Sequence, residues 1–406
     1  MQTLRDLVNN QNAIHSTSNY FNEDSTQKNT YDNAIDNGST YITGQHNSEL
    51  NKSTIDQTIS QINTAKNDLH GAEKLQRDKG TANQEIGQLA YLNNPQRSGE
   101  EALVNGSNTR SEVEEHLNDA KSLNNAMKQL RDKAAEKTNV KQSSDYINDS
   151  TEHQRGYDQA LQEAENIINE IGNPTLNKSE IEQKLQQLTD AQNALQGSHL
   201  LEEAKNNAIT EINKLTALNG AQRQKAIENV QAQQTIPEVN QQLTSDREIN
   251  TAMQALRDKV GQQNNVHQQS NYFNEDEQPK HNYDNAVQAG QTIIDKIQDP
   301  IMNKNEIEQA INQINTTQTA LSGENKLHTD QESTNRQIEG LSSLNTAQIN
   351  AEKDLVNQAK TRTDVAQKLA AAKEINSAMS NLRDGIQNKE DIKRSSAYIN
   401  ADPTKV

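Results

Sequence analysis

The sequence predicts an all-α protein, a tandem string of three-helix bundles of two types that alternate with a 126-residue period. Three observations lead to this prediction. Several short motifs return at intervals of 126 residues. Within each period the apolar residues follow helical steps of three and four, and no stretch alternates as a β-strand does. Apolar residues make up only 31% of the 406 residues, which is too few for one large core.

The repeat is visible in five motifs that keep the same columns in every period. No insertion or deletion separates them, so three complete periods reach residue 378. Met1 shares its column with three internal methionines, and we therefore expect the chain to be a piece of a longer array. The motifs are Met-x-x-Leu-Arg-Asp (from Met1, Met127, Met253 and Met379), Ser-x-Tyr-x-Asn (from Ser18, Ser144, Ser270 and Ser396), Tyr-Asp (from Tyr31, Tyr157 and Tyr283), Leu-x-Gly (from Leu69, Leu195 and Leu321) and Leu-Asn-x-x-Gln (from Leu92, Leu218 and Leu344).

The second period shows the order of the helices. One amphipathic stripe runs from Ser179 to Leu195, and Ser179 with Glu182 indicates a capping box at its start. Another stripe extends from Leu201 to Leu218, and a shorter helix follows it. One period holds six such segments, which is enough for two three-helix bundles. We call them the Tyr-Asp bundle and the Leu-Asn bundle, after the motif that each contains.

A long helix is predicted where a Leu-Asn bundle meets the next Tyr-Asp bundle. No glycine or proline interrupts residues 238–260, and Pro237 suits a first helical turn that Thr235 caps. This helix is expected to serve both bundles. The last stripe of the period ends near Asp299-Pro300 and consists of Tyr283, Ala286, Val287, Ile293, Ile294 and Ile297.

The other junction, at Gly71, Gly197 and Gly323, leaves two alternatives open. The apolar stripe changes face there without a proline or a strong turn signal. Either a loop or hinge lies at the glycine, or one long helix runs from near Lys178 to Leu218. Bundles joined through long shared helices cannot fold back on one another, so we expect an extended, monomeric rod on the order of 200 Å.

Composition and charge exclude several kinds of partner and site. The net charge is −17 and no basic stripe occurs, so nucleic acid is not an expected partner. No apolar run approaches the length of a transmembrane helix, and we expect no membrane insertion by this segment. There is no cysteine, while 53 Asn and 45 Gln replace the missing apolar residues.

Residues suited to catalysis or metal binding do not form a recognisable site. Only two histidines share a column, no pair has the spacing of a zinc helix, and we expect all nine to be exposed to solvent. Two acidic segments could form a calcium site; they are Asn22-Glu23-Asp24 and Asn274-Glu275-Asp276. A helix-capping turn is favoured because the ligand spacing of a calcium loop is missing. We predict no enzyme, no cofactor and no metal. The histidines are His15, His46, His70, His116, His153, His199, His267, His281 and His328.

The repeated tyrosines and arginines have structural interpretations. Tyr31, Tyr157 and Tyr283 lie at helical spacing with apolar residues and are predicted to be core or half-buried. A second tyrosine column is expected to stabilise the turn before a helix; it consists of Tyr20, Tyr146, Tyr272 and Tyr398. The arginine column is expected to form ion pairs on a helix face; it consists of Arg5, Arg131, Arg257 and Arg383.

The motifs also resemble known modules. The run from Leu200 through Leu-Asn-x-x-Gln to the Ala-Met-x-x-Leu-Arg-Asp ending at Ala252 resembles a GA module, and the segments with Tyr-Phe-Asn-Glu-Asp and Tyr-Asp-Asn-Ala resemble FIVAR modules. Their alternation is similar to that of giant staphylococcal cell-wall adhesins. On this resemblance the FIVAR-like bundles are residues 1–70 (without its N-terminal part), 123–196, 249–322 and the start of a further one at 375–406. The GA-like bundles are residues 71–122, 197–248 and 323–374.

The resemblance implies a protein of the bacterial cell wall or surface that binds an extracellular matrix protein such as fibronectin. Many weak sites in a repeat array give avidity, which is our first hypothesis. The alternative is a structural rod or tether that supports the cell envelope and binds no ligand, since no repeated exposed hot spot is evident. Albumin binding, which some GA modules have, is not carried over because residues 221–232 lack aromatics. No ligand-binding residue is assigned.

Overall fold

A computed structural model describes residues 1–44 and 51–405, in which every regular element is a helix. The described residues thus confirm the all-α prediction and the alternation of two bundle types. The chain divides into two compact units, Met1–Leu201 and Glu202–Val406. None of the helices in the described ranges has the length and apolarity that crossing a membrane requires.

The helices up to the end of the second Tyr-Asp bundle are α1 (Gln2–Asn9), α2 (Gln11–His15), α3 (Ser18–Phe21), α4 (Ser25–Ile42), α5 (Lys52–Asn67), α6 (Gly71–Gly87), α7 (Asn94–Gly106), α8 (Arg110–Ala135), α9 (Lys137–Gln142), α10 (Ser144–Ile147), α11 (Thr151–Ile168) and α12 (Lys178–Asn193). Those that follow are α13 (Gly197–Asn213), α14 (Gly220–Ala232), α15 (Ile236–Gly261), α16 (Gln263–His267), α17 (Ser270–Phe273), α18 (Glu277–Asp295), α19 (Lys304–Thr319), α20 (Gly323–Glu339), α21 (Thr346–Gln358), α22 (Arg362–Gln387), α23 (Lys389–Arg394) and α24 (Ser396–Ile399), with a 3₁₀ turn at Pro403–Lys405.

In each of the first three Tyr-Asp bundles, three helices pack around a buried tyrosine. In the first period α1, α4 and α5 enclose Tyr31, Leu4 and Ile62. In the second period the C-terminal half of α8 packs with α11 and α12 around Tyr157. Two short helices, such as α9 and α10, connect the first long helix of the bundle to the second; the apolar periodicity did not predict them as separate elements.

The Leu-Asn bundles are smaller. In the first period α6, α7 and the N-terminal half of α8 enclose Ile86, Val104 and Val113. The turn before α7 is fixed by a capping box at Asn93. The Asn93 side chain accepts from the Gln96 amide, and the Gln96 side chain accepts from the Asn93 amide. The capping box recurs at Asn219 and Asn345, which explains why the Leu-Asn-x-x-Gln motif is kept in every period.

The long shared helix is confirmed. Helix α8 is unbroken from Arg110 to Ala135, with Val113 in the Leu-Asn core and Met127 in the next Tyr-Asp core. Thr235 caps the equivalent helix α15, with a proline in its first turn, as predicted.

One expectation at a helix end was wrong, and one open alternative is now decided. The stripe from Ser179 does not open with a capping box; Asn177 caps α12 two residues earlier by accepting from the Ser179 amide. The long helix from Lys178 to Leu218 does not form either, because α12 ends at Asn193 and α13 begins at Gly197. A short turn precedes the glycine in each period, so the loop alternative describes this junction.

Candidate functional site

The turn at Gly71, which we call the glycine junction, brings two bundles into backbone contact. A Cβ atom at Gly71 would lie 2.6 Å from the carbonyl oxygen of Asn19 and 2.6 Å from the amide nitrogen of Glu23. A Cβ atom at Gly197 would come as close to the carbonyl oxygens of Ser144 and Asp145, and one at Gly323 would lie 2.6 Å from the amide nitrogen of Glu275. Only a residue without a side chain permits this approach, which accounts for the glycine in all three periods.

A buried carboxylate holds the glycine junction together. The side chain of Glu23 is fully buried, accepts from the His70 amide at 2.5 Å and forms an ion pair with Lys74 at the start of α6. Burial by itself would raise the pKa of Glu23, but the hydrogen bonds from Lys74 and from the Asp24 and His70 amides lower it below the ordinary value. The carboxylate therefore stays charged and fixes the end of one bundle to the first helix of the next.

A chain of ion pairs continues from Glu23 to the third helix of the Leu-Asn bundle. Asp24 lies 2.6 Å from Lys74 and 2.7 Å from Arg110, and Arg110 also contacts Asp78 at 2.5 Å. The third period repeats the whole set, with Arg362 between its two aspartates at 2.7 and 2.6 Å. The members in the third period are Glu275, Asp276, Lys326, Asp330 and Arg362.

These contacts revise the reading of the acidic motif. Asp24 occupies the N-cap position of α4 but makes no side-chain capping bond, so the capping interpretation fails for this residue. Its carboxylate binds the two cations of the next bundle instead. In the second period Ser150 stands in this column and does cap its helix, α11. No group of three or more side chains suited to a metal ion occurs in residues 1–44 and 51–405.

The ionic set was missed because it is absent from the second period. There Leu200, Ala204 and Ile236 replace the lysine, the aspartate and the arginine, so a search for columns common to all periods passes over them. The set can be found in the sequence because all of its members recur together two periods later. The buried acid remains as Asp149, which accepts from the Gln196 amide at 2.5 Å and contacts His153 at 3.0 Å.

The arginine column joins bundles through backbone carbonyls. Arg131 donates from Nε to the carbonyl of Tyr91 at 2.9 Å and from Nη2 to that of Ile168 at 3.3 Å. Arg257 likewise donates to the Ala217 carbonyl at 2.8 Å. The expected helix-face ion pair is therefore wrong for Arg131 and Arg257. Burial also lowers the pKa of Arg131 from its ordinary value.

Amide side chains complete this second contact, which we call the shared-helix junction. Asn93 donates to the Ile167 carbonyl at 3.1 Å, and Gln96 donates to the Thr175 carbonyl at 2.9 Å. Gln222 makes the equivalent bond to Ile301 at 2.8 Å. Part of the unusual asparagine and glutamine content therefore lies at inter-bundle contacts, where a neutral side chain satisfies a carbonyl without a buried charge.

The second tyrosine column forms a polar cluster with the Tyr-Asp motif. The Tyr20 hydroxyl donates to Asp32 at 2.6 Å, and His15 stacks on Tyr20 with ring centroids 4.0 Å apart and contacts Asp32 at 2.7 Å. Burial, with Asp32 next to it, raises the pKa of Tyr20 to about 12. His267 repeats the arrangement with Tyr272. His15 and His267 are half-buried, so the expectation that every histidine is exposed is wrong for both.

The prediction also fails for His116 and His153, which are partly buried, whereas it is confirmed for His70, His199, His281 and His328. His46 lies outside the described residues. The tyrosines that begin the Tyr-Asp motif are core residues, as predicted. Their hydroxyls have no hydrogen-bond partner at Tyr157 and Tyr283.

Exposed apolar side chains recur at the glycine junction. Phe21 is 40% exposed, and its column continues with Ile147, Phe273 and Ile399, all of which are exposed. The sequence interpretation missed this surface, because it found no repeated exposed hot spot. The signal lay inside Ser-x-Tyr-x-Asn, whose second variable residue is apolar in all four copies. We call these four residues the apolar column.

A second exposed apolar side chain that recurs with the period lies at the shared-helix junction. Ile171 and Ile297 occupy one column and are 90% and 81% exposed. Ile297 was expected in a helical stripe, but α18 ends at Asp295 and leaves it in the following loop. With Ile294 and Pro300 it lines a groove of about 780 Å³ against the start of α14. The equivalent residue of the first period, Gln45, lies outside the described residues.

Comparison with known proteins identifies both bundle types. The FIVAR domain family matches residues 1–70, 126–196, 252–322 and 378–406, and the GA module family matches residues 72–126, 198–252 and 324–378. The Tyr-Asp bundles correspond to the first family and the Leu-Asn bundles to the second. Every part of the chain except residue 71, 197 or 323 falls within one match or the other.

Relatives carry the same repeats in much longer chains. The extracellular matrix-binding protein ebh of Staphylococcus aureus strain NCTC 8325 is 34% identical over 405 residues, which is 100% of this chain and 4% of that protein. The extracellular matrix-binding protein EbhA of strain Mu3 is also 34% identical, over 100% of this chain and 6% of that protein. The chain thus spans about one-twentieth of these relatives. The crystal structure of residues 756–1003 of EbhA from Staphylococcus aureus has a TM-score of 0.56 and 26% identity, covering 60% of this chain and 98% of that one.

Proposed function

Because the chain belongs to the FIVAR domain family, with GA modules between its FIVAR domains, we propose that it is an adhesive segment of a bacterial surface protein. Its partner is an extracellular matrix protein, and fibronectin is the one we propose. The relatives are named as extracellular matrix-binding proteins. Each repeat binds weakly, and several repeats together give a usable affinity.

The observation that carries this proposal is the apolar column. A large exposed apolar side chain recurs once per period, where a soluble surface has no need of one. Phe21 and Phe273 supply rigid contact area, and aromatic residues are enriched among interface hot spots. One side chain buries too little area for tight binding, so the affinity must depend on how many residues of the apolar column contact the partner.

The test measures binding of the full chain to immobilised fibronectin as residues of the apolar column are replaced one after another. We expect Phe21→Ser to weaken binding several-fold, and Phe21→Ser with Phe273→Ser to weaken it by well over tenfold, because each anchor contributes multiplicatively. Leu103→Ser is the matched control, since Leu103 is an apolar residue that is 43% exposed but lies outside the column. Circular dichroism verifies that all variants retain their helices.

The outcome also decides between adhesion and the alternative of a structural tether. The glycine and shared-helix junctions favour a tether, because both specify how one bundle follows the next. A full chain without saturable binding to fibronectin, or a double variant that binds as tightly as the wild type, contradicts the proposed adhesive surface. In the first case the tether becomes the better account of this segment.

A further inference from the structure

Each Leu-Asn bundle contains a carboxylic acid in its buried interior. In the first period it is Glu100 of α7, which is 2% exposed. In the second period it is Asp246 of α15, which is 0% exposed. In the third period it is Glu352 of α21, which is 8% exposed. A fully buried acid is rare unless it is paired, and these three differ from the ion-paired acids of the glycine junction.

The acid occupies one of two columns and never both. Where Glu100 stands in the first period, the second period has Ala226, and where Asp246 stands in the second, the first has Ala120. Both alanines are buried at 0% exposure. The third period returns to the first pattern, with Glu352 and Ala372. The number of buried acids per bundle is therefore maintained although the helix that carries the acid changes.

The buried acids lack the partners that would keep them charged. Oε2 of Glu100 and Oδ2 of Asp246 accept no hydrogen bond. Helix α8 contributes Asp119, whose negative charge adds to the cost of ionising Glu100. Helix α6 contributes the buried Lys79, but its ammonium donates to the Asn105 carbonyl at 2.8 Å.

The surroundings of Asp246 are similar. Its other oxygen accepts from Gln242 at 3.1 Å, and the buried Lys205 of α13 lies 3.6 Å from Glu202. Burial raises the pKa of Asp246 above its ordinary value. Burial, and then the charge of Asp119, raises the pKa of Glu100 to about 7. The direction is the reverse of that at Glu23.

We propose that the first and second Leu-Asn bundles are pH-responsive elements, which are tightly packed at mildly acidic pH and open more readily as the pH approaches and passes neutrality. Below the ordinary pKa of the side chain, 4.5 for Glu100 and 3.8 for Asp246, the acid is largely neutral in both the folded and the unfolded chain, so it opposes packing little. At higher pH the unfolded chain ionises the acid freely, whereas the folded bundle must keep it neutral or bury a charge. The stability of these bundles therefore falls as the pH rises.

The test compares hydrogen exchange of the full chain at pH 5.0 and pH 7.5, resolved by peptide and corrected for the intrinsic exchange rate. We expect α7 to be at least about tenfold better protected at pH 5.0, since a tenfold change follows from each unit of pKa difference, and α14 to change in the same direction. Glu100→Gln removes this difference in α7 and leaves it in α14. Asp246→Asn does the reverse, so each variant is a control for the other.

Glu115→Gln, at an exposed position of α8, is expected to change neither bundle. If Glu100→Gln does not fold, Glu100→Ala replaces it, because the second period already accommodates alanine in that column. Equal corrected protection of α7 and α14 at the two pH values overturns the proposal. A pH difference in α7 that survives Glu100→Gln overturns it as well.

Discussion

Arg110 Nη1 lies 2.7 Å from Asp24 Oδ1, although 86 residues separate them in sequence. The contact joins the N-terminus of α8, the third helix of a Leu-Asn bundle, to the residue before α4 of the preceding Tyr-Asp bundle. Asn22 strengthens the same connection by donating to the Asn108 carbonyl and accepting from the Arg110 amide, both at 3.0 Å. The two bundles are therefore held at three helix ends, and their relative orientation is set by named side chains.

Gly71→Ala is predicted to open the glycine junction. The added methyl group meets two backbone atoms at 2.6 Å, and neither can move without displacing α3 or the turn after it. We expect a loss of about 1–3 kcal/mol in the free energy of unfolding, as for other overpacked sites. Hydrogen exchange in peptides that cover α3 and the start of α6 measures the loss at the junction itself.

Gly80→Ala supplies the control for this prediction. Gly80 lies inside α6, and a Cβ there meets no atom within 4 Å. Alanine is a better helix former than glycine, so this variant is expected to gain about 0.5–1 kcal/mol. If both variants gain stability, the close approach at Gly71 is not a constraint and the account of the junction is wrong.

Acid is predicted to weaken the glycine junction in the third period. Burial opposes the charge of Glu275, but hydrogen bonds from Lys326 and from the Ser322 and Asp276 amides lower its pKa to about 2, against 4.5 for the ordinary group. A lowered pKa in the folded state means that the stabilisation is complete above pH 4.5 and is lost as the pH falls towards 2. Hydrogen exchange at the start of α20 should increase over this range, after correction for the intrinsic rate.

Glu275→Gln separates this effect from general acid unfolding. The amide cannot titrate, so the variant should have a weaker junction at pH 6 and a smaller further change down to pH 2. An unchanged acid response in the variant means that other groups, such as Asp276, govern the junction. The two opposite pKa directions place the best stability of the repeats in mildly acidic solution, where the junction carboxylates are charged and the buried acid Glu100 is neutral.

Helices, period and core columns could be predicted from sequence because each depends on local spacing. Tyr157 and Met127 follow helical steps and are buried as expected. Contacts between bundles could not be predicted in this way. Arg131 is next to Asp132 in sequence, which suggested an ion pair, but the carbonyl of Tyr91 becomes its partner only once α7 and α8 have packed. Phe21 was overlooked for the converse reason, since an apolar residue inside a helical motif gives no sign of its exposure.

Arg131→Met is predicted to weaken the shared-helix junction. The variant keeps the apolar stem but leaves the carbonyls of Tyr91 and Ile168 without their donor, at a cost of about 1–3 kcal/mol. Arg5→Met is the matched control, because Arg5 shares the column but is exposed. Its effect should stay within about 0.5 kcal/mol. Urea unfolding measures the loss of stability in each variant, and hydrogen exchange in α7 locates it. Equal losses of stability in the two variants would contradict a junction role for Arg131.

The two tyrosines of one Tyr-Asp bundle are predicted to respond oppositely to the loss of a hydroxyl group. Tyr272→Phe removes a hydrogen bond of 2.6 Å to Asp284 and should cost about 1–3 kcal/mol, as is usual for a bond to a charged acceptor.

Tyr283→Phe removes a buried hydroxyl that has no partner, so we expect stability to be unchanged or improved by up to about 1 kcal/mol. Both rings stay in place, which makes each variant the control for the other in hydrogen exchange of α18. If Tyr283→Phe loses as much stability as Tyr272→Phe, the core hydroxyl must have a hydrogen-bond acceptor, such as a buried water. The tyrosine column would then be maintained for a polar contact as well as for the volume that its ring fills in the core.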